Sequence, residues 1–256
     1  MNVFILCAGD GDRWGNYLGV PKQLIRFGSE TILERTIRLS SVYRNACFFC
    51  VTRDQSIAPP NTVPIVLKHS SCLVDTIGQT RSYWASRNIF LLGDVFYSPT
   101  AIHMIFHSTR YLTFFGRPWP SFLVKCGHGE LFGMAFDIEA LSLIPTLLDT
   151  GMRLQGSGHA GNLWNLHHIA SGLPLGTRFY SKELLELIDD YTNDIDTQDD
   201  YRRRSDLFER ITKGRFGTKL DLWIHQWVLL PRRYQFARNR SVAQIASIAE
   251  RLGKLL

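Results

Sequence analysis

Residues 2–8, "NVFILCA", form an unbroken apolar run of strand length, and Gly9 and Gly11 end it at once. A run with no polar alternation suits a strand buried on both faces, as in parallel sheets covered by helices on each side. This opening commits the chain to an α/β architecture, and the pattern that follows keeps to it. Residues 29–43, "SETILERTIRLSSVY", repeat apolar side chains at helical spacing, with Ser29 as the expected N-cap. "ACFFCVTRD" (46–54) and "VPIVLKH" (63–69) read as strands, "CLVDTIGQTRSYWAS" (72–86) as a helix, and "NIFLLGDVFYS" (88–98) as a strand broken at Gly93. Alternating strands and helices predict a largely parallel sheet with right-handed crossovers.

The second half continues in kind. A helix is expected over 100–112, strands over 111–118, 121–127 and 129–137, and a helix over 138–152. The Gly/His/Trp-rich region 151–176 lacks clean periodicity and reads as a functional loop or an unrecognised helix. "SKELLELIDDY" (181–191) reads as a helix capped by Ser181, and further helical patterns occupy 200–213, 220–230 and 242–256. The expected organisation is a catalytic domain over 1–205 and a helical extension over 206–256. That extension, with Trp223 and Trp227, would either cover the sheet or form a homodimer interface.

At 256 residues and 45% hydrophobic content the chain can bury one sizeable core. The net charge of +6 is spread along the sequence rather than gathered in one tract, which argues against nucleic acid as a partner. No basic region precedes the first apolar run and no apolar stretch is long enough to span a membrane, so the chain reads as cytoplasmic, with no membrane partner. The five cysteines, Cys7, Cys47, Cys50, Cys72 and Cys126, give no disulfide framework. Cys47 and Cys50 fall within a β-prone run whose alternate side chains point opposite ways, and they read as buried thiols rather than a zinc or redox pair.

Glycines directly after a buried strand either make a plain turn or let backbone N–H groups approach an anion. A Walker loop is excluded, because no Gly-x4-Gly-Lys-Ser/Thr string occurs. The dinucleotide fingerprint fails too: Gly15 comes one residue late, and Lys22 stands where that motif needs its helix. The stretch "LCAGDGDRWGNYLGVPKQLIRFGSETILERTI" instead resembles the N-terminal signature of the nucleotidyltransferases that make activated sugars and alditols, Leu-x-Ala-Gly-x-Gly-x-Arg followed by Pro-Lys and a helix. It is especially similar to the cytidylyltransferase branch, and the match covers the first forty residues or so. Three departures stand out: Cys7 replaces an alanine, Asp10 puts an acid inside the loop, and the Arg13-to-Lys22 gap is longer than usual.

The resemblance implies a three-layer α/β/α, Rossmann-like nucleotide-diphospho-sugar transferase fold with a mixed, mostly parallel sheet. It also implies in-line transfer of a nucleoside monophosphate from a nucleoside triphosphate to a phosphorylated sugar or polyol, with pyrophosphate leaving. Ala8, Gly9 and Gly11 would hold phosphates, Arg13 would pair with the leaving group, and Lys22 would stabilise charge at the α-phosphate. Ser71, Thr76 or Arg81 would contact the nucleotide, although Arg81 also fits an ordinary helix-surface residue.

Such chemistry crowds negative charge on both partners, and Mg²⁺ offsets it through carboxylates, phosphates and water. Asp94 follows a strand and a glycine, where it is either a turn residue or, as the resemblance implies, a metal ligand. "TNDIDTQDDYRR" resembles the family's Asp-Ile-Asp-Thr-Pro-Glu-Asp string and supplies Asp196 as the second ligand, with Thr197 or Asp196 also suited to cap the next helix. The acceptor side is expected to draw on Arg117, Lys125, Glu130 and the run 156–168. His167 and His168, being adjacent, project differently and do not read as zinc ligands. A glycosyltransferase of the same fold and a non-catalytic nucleotide-binding protein are the competing readings. The first would not need the Gly-x-Gly-x-Arg and Pro-Lys loop, and the second would be expected to have lost Lys22 or the acids.

Overall fold

The computed structural model describes residues 1–119, 129–177 and 179–212. Its first elements are β1 (Asn2–Leu6), a small ribbon of β2 (Arg26–Phe27) and β3 (Glu30–Thr31), α1 (Ile32–Ser40), β4 (Cys47–Thr52), β5 (Val63–Val66) and α2 (Leu73–Gly78). These are followed by β6 (Arg87–Leu92), β7 (Val95–Phe96), α3 (Pro99–His107), β8 (Leu112–Arg117) and β9 (Glu130–Asp137). The rest comprises α4 (Ile144–Gly156), α5 (Leu163–Ser171), β10 (Leu185–Leu187), β11 (Asn193–Asp194) and α6 (Gln198–Thr212).

Seven strands form one sheet in the order β10-β8-β9-β6-β1-β4-β5. β1 is parallel to both β4 and β6, β4 to β5 and β10 to β8, while β9 runs antiparallel between β6 and β8. Alternation along β1 sends Phe4 and Leu6 to one face, where α2, α4 and α5 pack through Val74, Leu147 and Leu166. Val3 and Ile5 point to the other face, against α3 through Ile102 and α1 through Leu33. Helices therefore cover both faces, as the unbroken apolar run required. Among the described residues no helix is long and apolar enough to cross a membrane.

Four local expectations are corrected. Thr31, not Ser29, caps α1: its hydroxyl accepts from Glu34 N, and the Glu34 carboxylate accepts from Thr31 N, a capping box that starts the helix after the β2–β3 turn. The helix expected over 72–86 shrinks to α2 and a single 3-10 turn at Arg81–Tyr83. The helix expected over 181–191 is strand β10, aligned Leu185 to Phe114, because pairing with β8 at the sheet edge outweighs the helical propensity of "ELLEL". Cys47, at the start of β4, is exposed, whereas Cys50 is buried. Region 151–176 contains the end of α4 and the whole of α5, whose cap is Asn162 accepting from Asn165 N. The strand expected over 121–127, Lys125, Cys126, Trp223, Trp227 and the helical patterns beyond 212 lie outside the described residues.

Candidate active site

From β1 the chain crosses to β4 and β5 on one side and then returns to β6 on the other, so the carboxyl ends of β1 and β6 flank a switch point. Ligands of open α/β sheets bind in the crevice at such a point. The loop after β1 carries Gly9, Gly11 and Arg13, and the turn after β6 carries Asp94. These two backbones touch: Gly93 N donates to Leu6 O at 2.9 Å, and a Cβ on Gly93 would collide with Cys7 Sγ. Gly11 has a φ of +70°, a conformation only glycine adopts without strain. A Cβ on Gly9 would meet nothing within 4 Å, so packing against the protein is not what keeps this position open.

Asp196 reaches the same place through a two-stranded ribbon. β11 pairs antiparallel with β7, Asn193 opposite Phe96 and Asp194 opposite Val95, and Ile195 N donates to Asp94 O at 2.9 Å. The ribbon is braced from below. Arg117, fully buried, donates to Thr192 O at 2.8 Å, to Glu130 at 3.2 Å and to the Asn193 side chain. Ser98 donates to the buried Asp190 carboxylate, which in turn accepts from Thr192 N at 2.7 Å. Tyr97 fixes the turn bearing Asp94: its hydroxyl accepts from Leu92 N at 2.9 Å and donates to Phe132 O at 2.5 Å. Arg117 and Glu130, expected on an acceptor surface, are corrected to buried braces.

Three further residues complete the centre. Lys22 Nζ pairs with Asp94 and with Asp196, the latter at 3.1 Å, and Arg13 pairs with the other oxygen of Asp196. Arg13 remains 72% exposed while Lys22 is only 10% exposed, so the arginine is free to meet a ligand and the lysine sits in the floor. Burial lowers the Lys22 pKa, but Asp94 and Asp196 outweigh it and the net shift is upward, which keeps the ammonium charged. Asp194 lies beside them, its pKa pushed up to about 9 by burial first and then by Glu130, Asp196 and Asp94, with a hydrogen bond to Asp196. The loop between Arg13 and Lys22 is pinned by Trp14, which is buried against Ile25, Phe96 and Ile195 and donates to Val20 O at 2.9 Å. Thr197 caps α6: its hydroxyl accepts from Asp200 N and its N–H donates to the Asp200 carboxylate. The neighbouring threonine thus does the capping, and Asp196 faces the lysine.

The remaining predicted residues are engaged elsewhere. Ser71 donates through N and Oγ to Asp75, Thr76 is buried and bonds Ser70 Oγ and Cys72 O, and Arg81 pairs with Asp149 on α4 at 2.5 Å. Ala8 is buried in the core. His167 and His168 hold the segment before β10, His167 Nε2 accepting from Ser181 N at 3.3 Å and His168 Nε2 lying 3.0 Å from Phe179 O. Sequence reasoning missed Trp14, Tyr97 and the bracing role of Arg117. The aromatic residues beside the two loops were the available signal, but their partners are remote in sequence.

Two carboxylates, one in the turn between β6 and β7 and one just past β11, converge on one cationic atom, Lys22 Nζ. Such a pair fits a hard divalent cation that takes its other oxygens from phosphate and water. Among the described residues no group of three or more His, Cys, Asp or Glu is placed to hold a metal by itself.

No family model and no curated protein matches the chain in sequence. Solved structures do match in fold. The CTP:phosphocholine cytidylyltransferase from Streptococcus pneumoniae aligns with a TM-score of 0.56 at 14% identity, covering 80% of this chain and 98% of that one. The inositol-1-phosphate CTP transferase from T. maritima gives 0.52 at 14% identity over 83% and 96%. Rv0371c from Mycobacterium tuberculosis H37Rv gives 0.53 at 18% identity over 80% and 96%, and its manganese complex gives 0.50 at 17% over 80% and 97%. The chain therefore shares the α/β fold of these proteins, the cytidylyltransferase and the CTP transferase among them.

Proposed function

From that shared fold and the charged centre at its switch point, we propose that the protein is a nucleotidyltransferase. It moves a nucleoside monophosphate from a nucleoside triphosphate onto a phosphorylated small molecule, a sugar phosphate or polyol phosphate, and releases pyrophosphate. The observation that carries this reading is the convergence of Arg13, Lys22, Asp94 and Asp196 beside a glycine loop, from three separate segments of the chain.

In this reading the loop at Ala8, Gly9 and Gly11 receives the triphosphate, and Arg13 meets the phosphates that leave as pyrophosphate. Lys22 stabilises the charge that develops at the α-phosphate, and the acceptor's phosphate oxygen attacks in line from the opposite side. Mg²⁺, held by Asp94 and Asp196, would supply the positive charge that lets two phosphates approach one another. The neighbours support the metal: manganese is bound in one Rv0371c structure. They also support the acceptor class, since their names specify phosphocholine and inositol 1-phosphate. Of Ser71, Thr76 and Arg81, the exposed Ser71 or Arg81 is proposed for the nucleotide side, Arg81 after release from Asp149, while Thr76 is buried with its hydroxyl already bonded.

The test is pyrophosphate release from each common ribonucleoside triphosphate with Mg²⁺ and a panel of sugar 1-phosphates, polyol phosphates and phosphocholine. The expected result is release that requires one particular acceptor and is lost in Lys22→Ala. Absence of release with every pair, accompanied by transfer from a nucleotide-sugar donor, would move the assignment to a glycosyltransferase.

A further inference from the structure

A cavity of about 250 Å³ opens beside the loop after β1, lined among others by Gly9, Asp10, Gly11, Lys22, Arg53 and Asp54. Arg53 reaches it because β4 lies parallel to β1, Val51 opposite Leu6, which brings the residue after Thr52 to the same edge as the glycine loop. Its guanidinium pairs across the cavity with Asp10, the acid that departs from the nucleotidyltransferase signature. The two cations of this wall differ sharply. Lys22 is buried between two carboxylates, whereas Arg53 and Asp10 are 37% and 60% exposed. An exposed pair holds weakly, and a guanidinium fork matches phosphate oxygens at least as well as a single carboxylate. A carboxylate within an anion cradle, by contrast, repels a phosphate unless a cation neutralises it.

We propose that Arg53 is a further phosphate-binding cation of this cavity, and that Asp10 is the internal competitor a triphosphate displaces from it. This rests on reading the cavity as the triphosphate site, and it adds a residue that the signature does not contain. Asp10 then sets how tightly the nucleotide is held: it weakens the complex both by pairing with Arg53 and by its own charge.

Calorimetric titration of the full chain with inorganic pyrophosphate and with each of the four common ribonucleoside triphosphates, in magnesium-containing buffer, tests this. Arg53→Gln is expected to weaken binding by about tenfold, and Asp10→Asn to tighten it by about threefold, since a charge-assisted phosphate contact is lost in one and a competitor in the other. Arg53→Lys is expected to lie between Arg53→Gln and the parent. Opposite signs are the diagnostic, because a pair that merely held the loop in shape would weaken binding when either partner was changed. Weakening in both variants, or no change in either, overturns the proposal while leaving the nucleotide site standing. Failure of the parent chain to bind any of the probes overturns the site reading as well.

Discussion

At the scale of the residue, the two acids of "DID" carry different loads although they stand two positions apart. Asp196 faces Lys22 and Arg13, while Asp194, half-buried beside Glu130, Asp196 and Asp94, is driven toward its protonated form. Asp194→Asn keeps shape and neutrality and is expected to leave turnover within a few-fold of the parent. Asp196→Asn is expected to lower it by about a hundredfold or more, since it would take a negative charge from the proposed metal site and leaves a buried lysine half paired. Steady-state pyrophosphate release on the two variants checks the contrast. His167 gives a pH prediction. Burial pushes its pKa down to about 4, below the ordinary value of 6.5. The unfolded chain therefore takes up the proton first as the pH falls. The stability due to a neutral His167 is present above about pH 6.5 and is lost progressively toward pH 4, up to ~3 kcal/mol. Urea unfolding across that range is expected to show a steep acid limb that flattens in His167→Gln. Residues such as these were legible in the sequence only where a local string named them. Asp94, Asp196, Arg13 and Lys22 stood in family-like strings, whereas the work of Tyr97, Trp14 and Arg117 depends on backbone partners remote from them in sequence.

At the scale of the element, the site depends on the β7–β11 ribbon more than on any strand of the main sheet. Its register joins Asp94 to Asp196, and Arg117 clamps it from β8. Arg117→Met is expected to destabilise the protein by about 3–5 kcal/mol, because Glu130 and the Thr192 carbonyl lose a buried charged partner. Denaturant unfolding measures that loss. Thr197→Ala at the head of α6 is the contrasting case: loss of the cap is expected to cost about 1 kcal/mol, with turnover little changed because Asp196 keeps its own partners. Thermal melts paired with activity on the same preparation separate the two. Element boundaries were readable where burial was two-sided, as in β1 and β6, since an unbroken apolar run leaves few alternatives. They were misread at 181–191, where the leucines of "ELLEL" suit a helix locally and only the free edge of β8 makes a strand of them.

At the scale of the whole molecule, the order β5-β4-β1-β6 creates one crevice, and every charged group of the candidate centre is delivered to it by a connection at the carboxyl edge. The alternation of strands and helices made the layers predictable, and the glycine loop made the edge predictable. The resemblance implied a mixed sheet, as found, but that its antiparallel member is β9, between β6 and β8, was not legible, because strand composition does not distinguish direction. The central claim is that this crevice transfers a nucleotidyl group, and the most direct measurement follows the α-phosphorus itself. The protein is incubated with a triphosphate radiolabelled at that atom, Mg²⁺ and the acceptor that supports pyrophosphate release, and the products are separated. The account predicts that the label appears in the acceptor conjugate, that the released pyrophosphate is unlabelled, and that both vanish in Lys22→Ala and Asp94→Ala. Label remaining on free nucleotide while an acceptor gains a sugar or the terminal phosphate would contradict it.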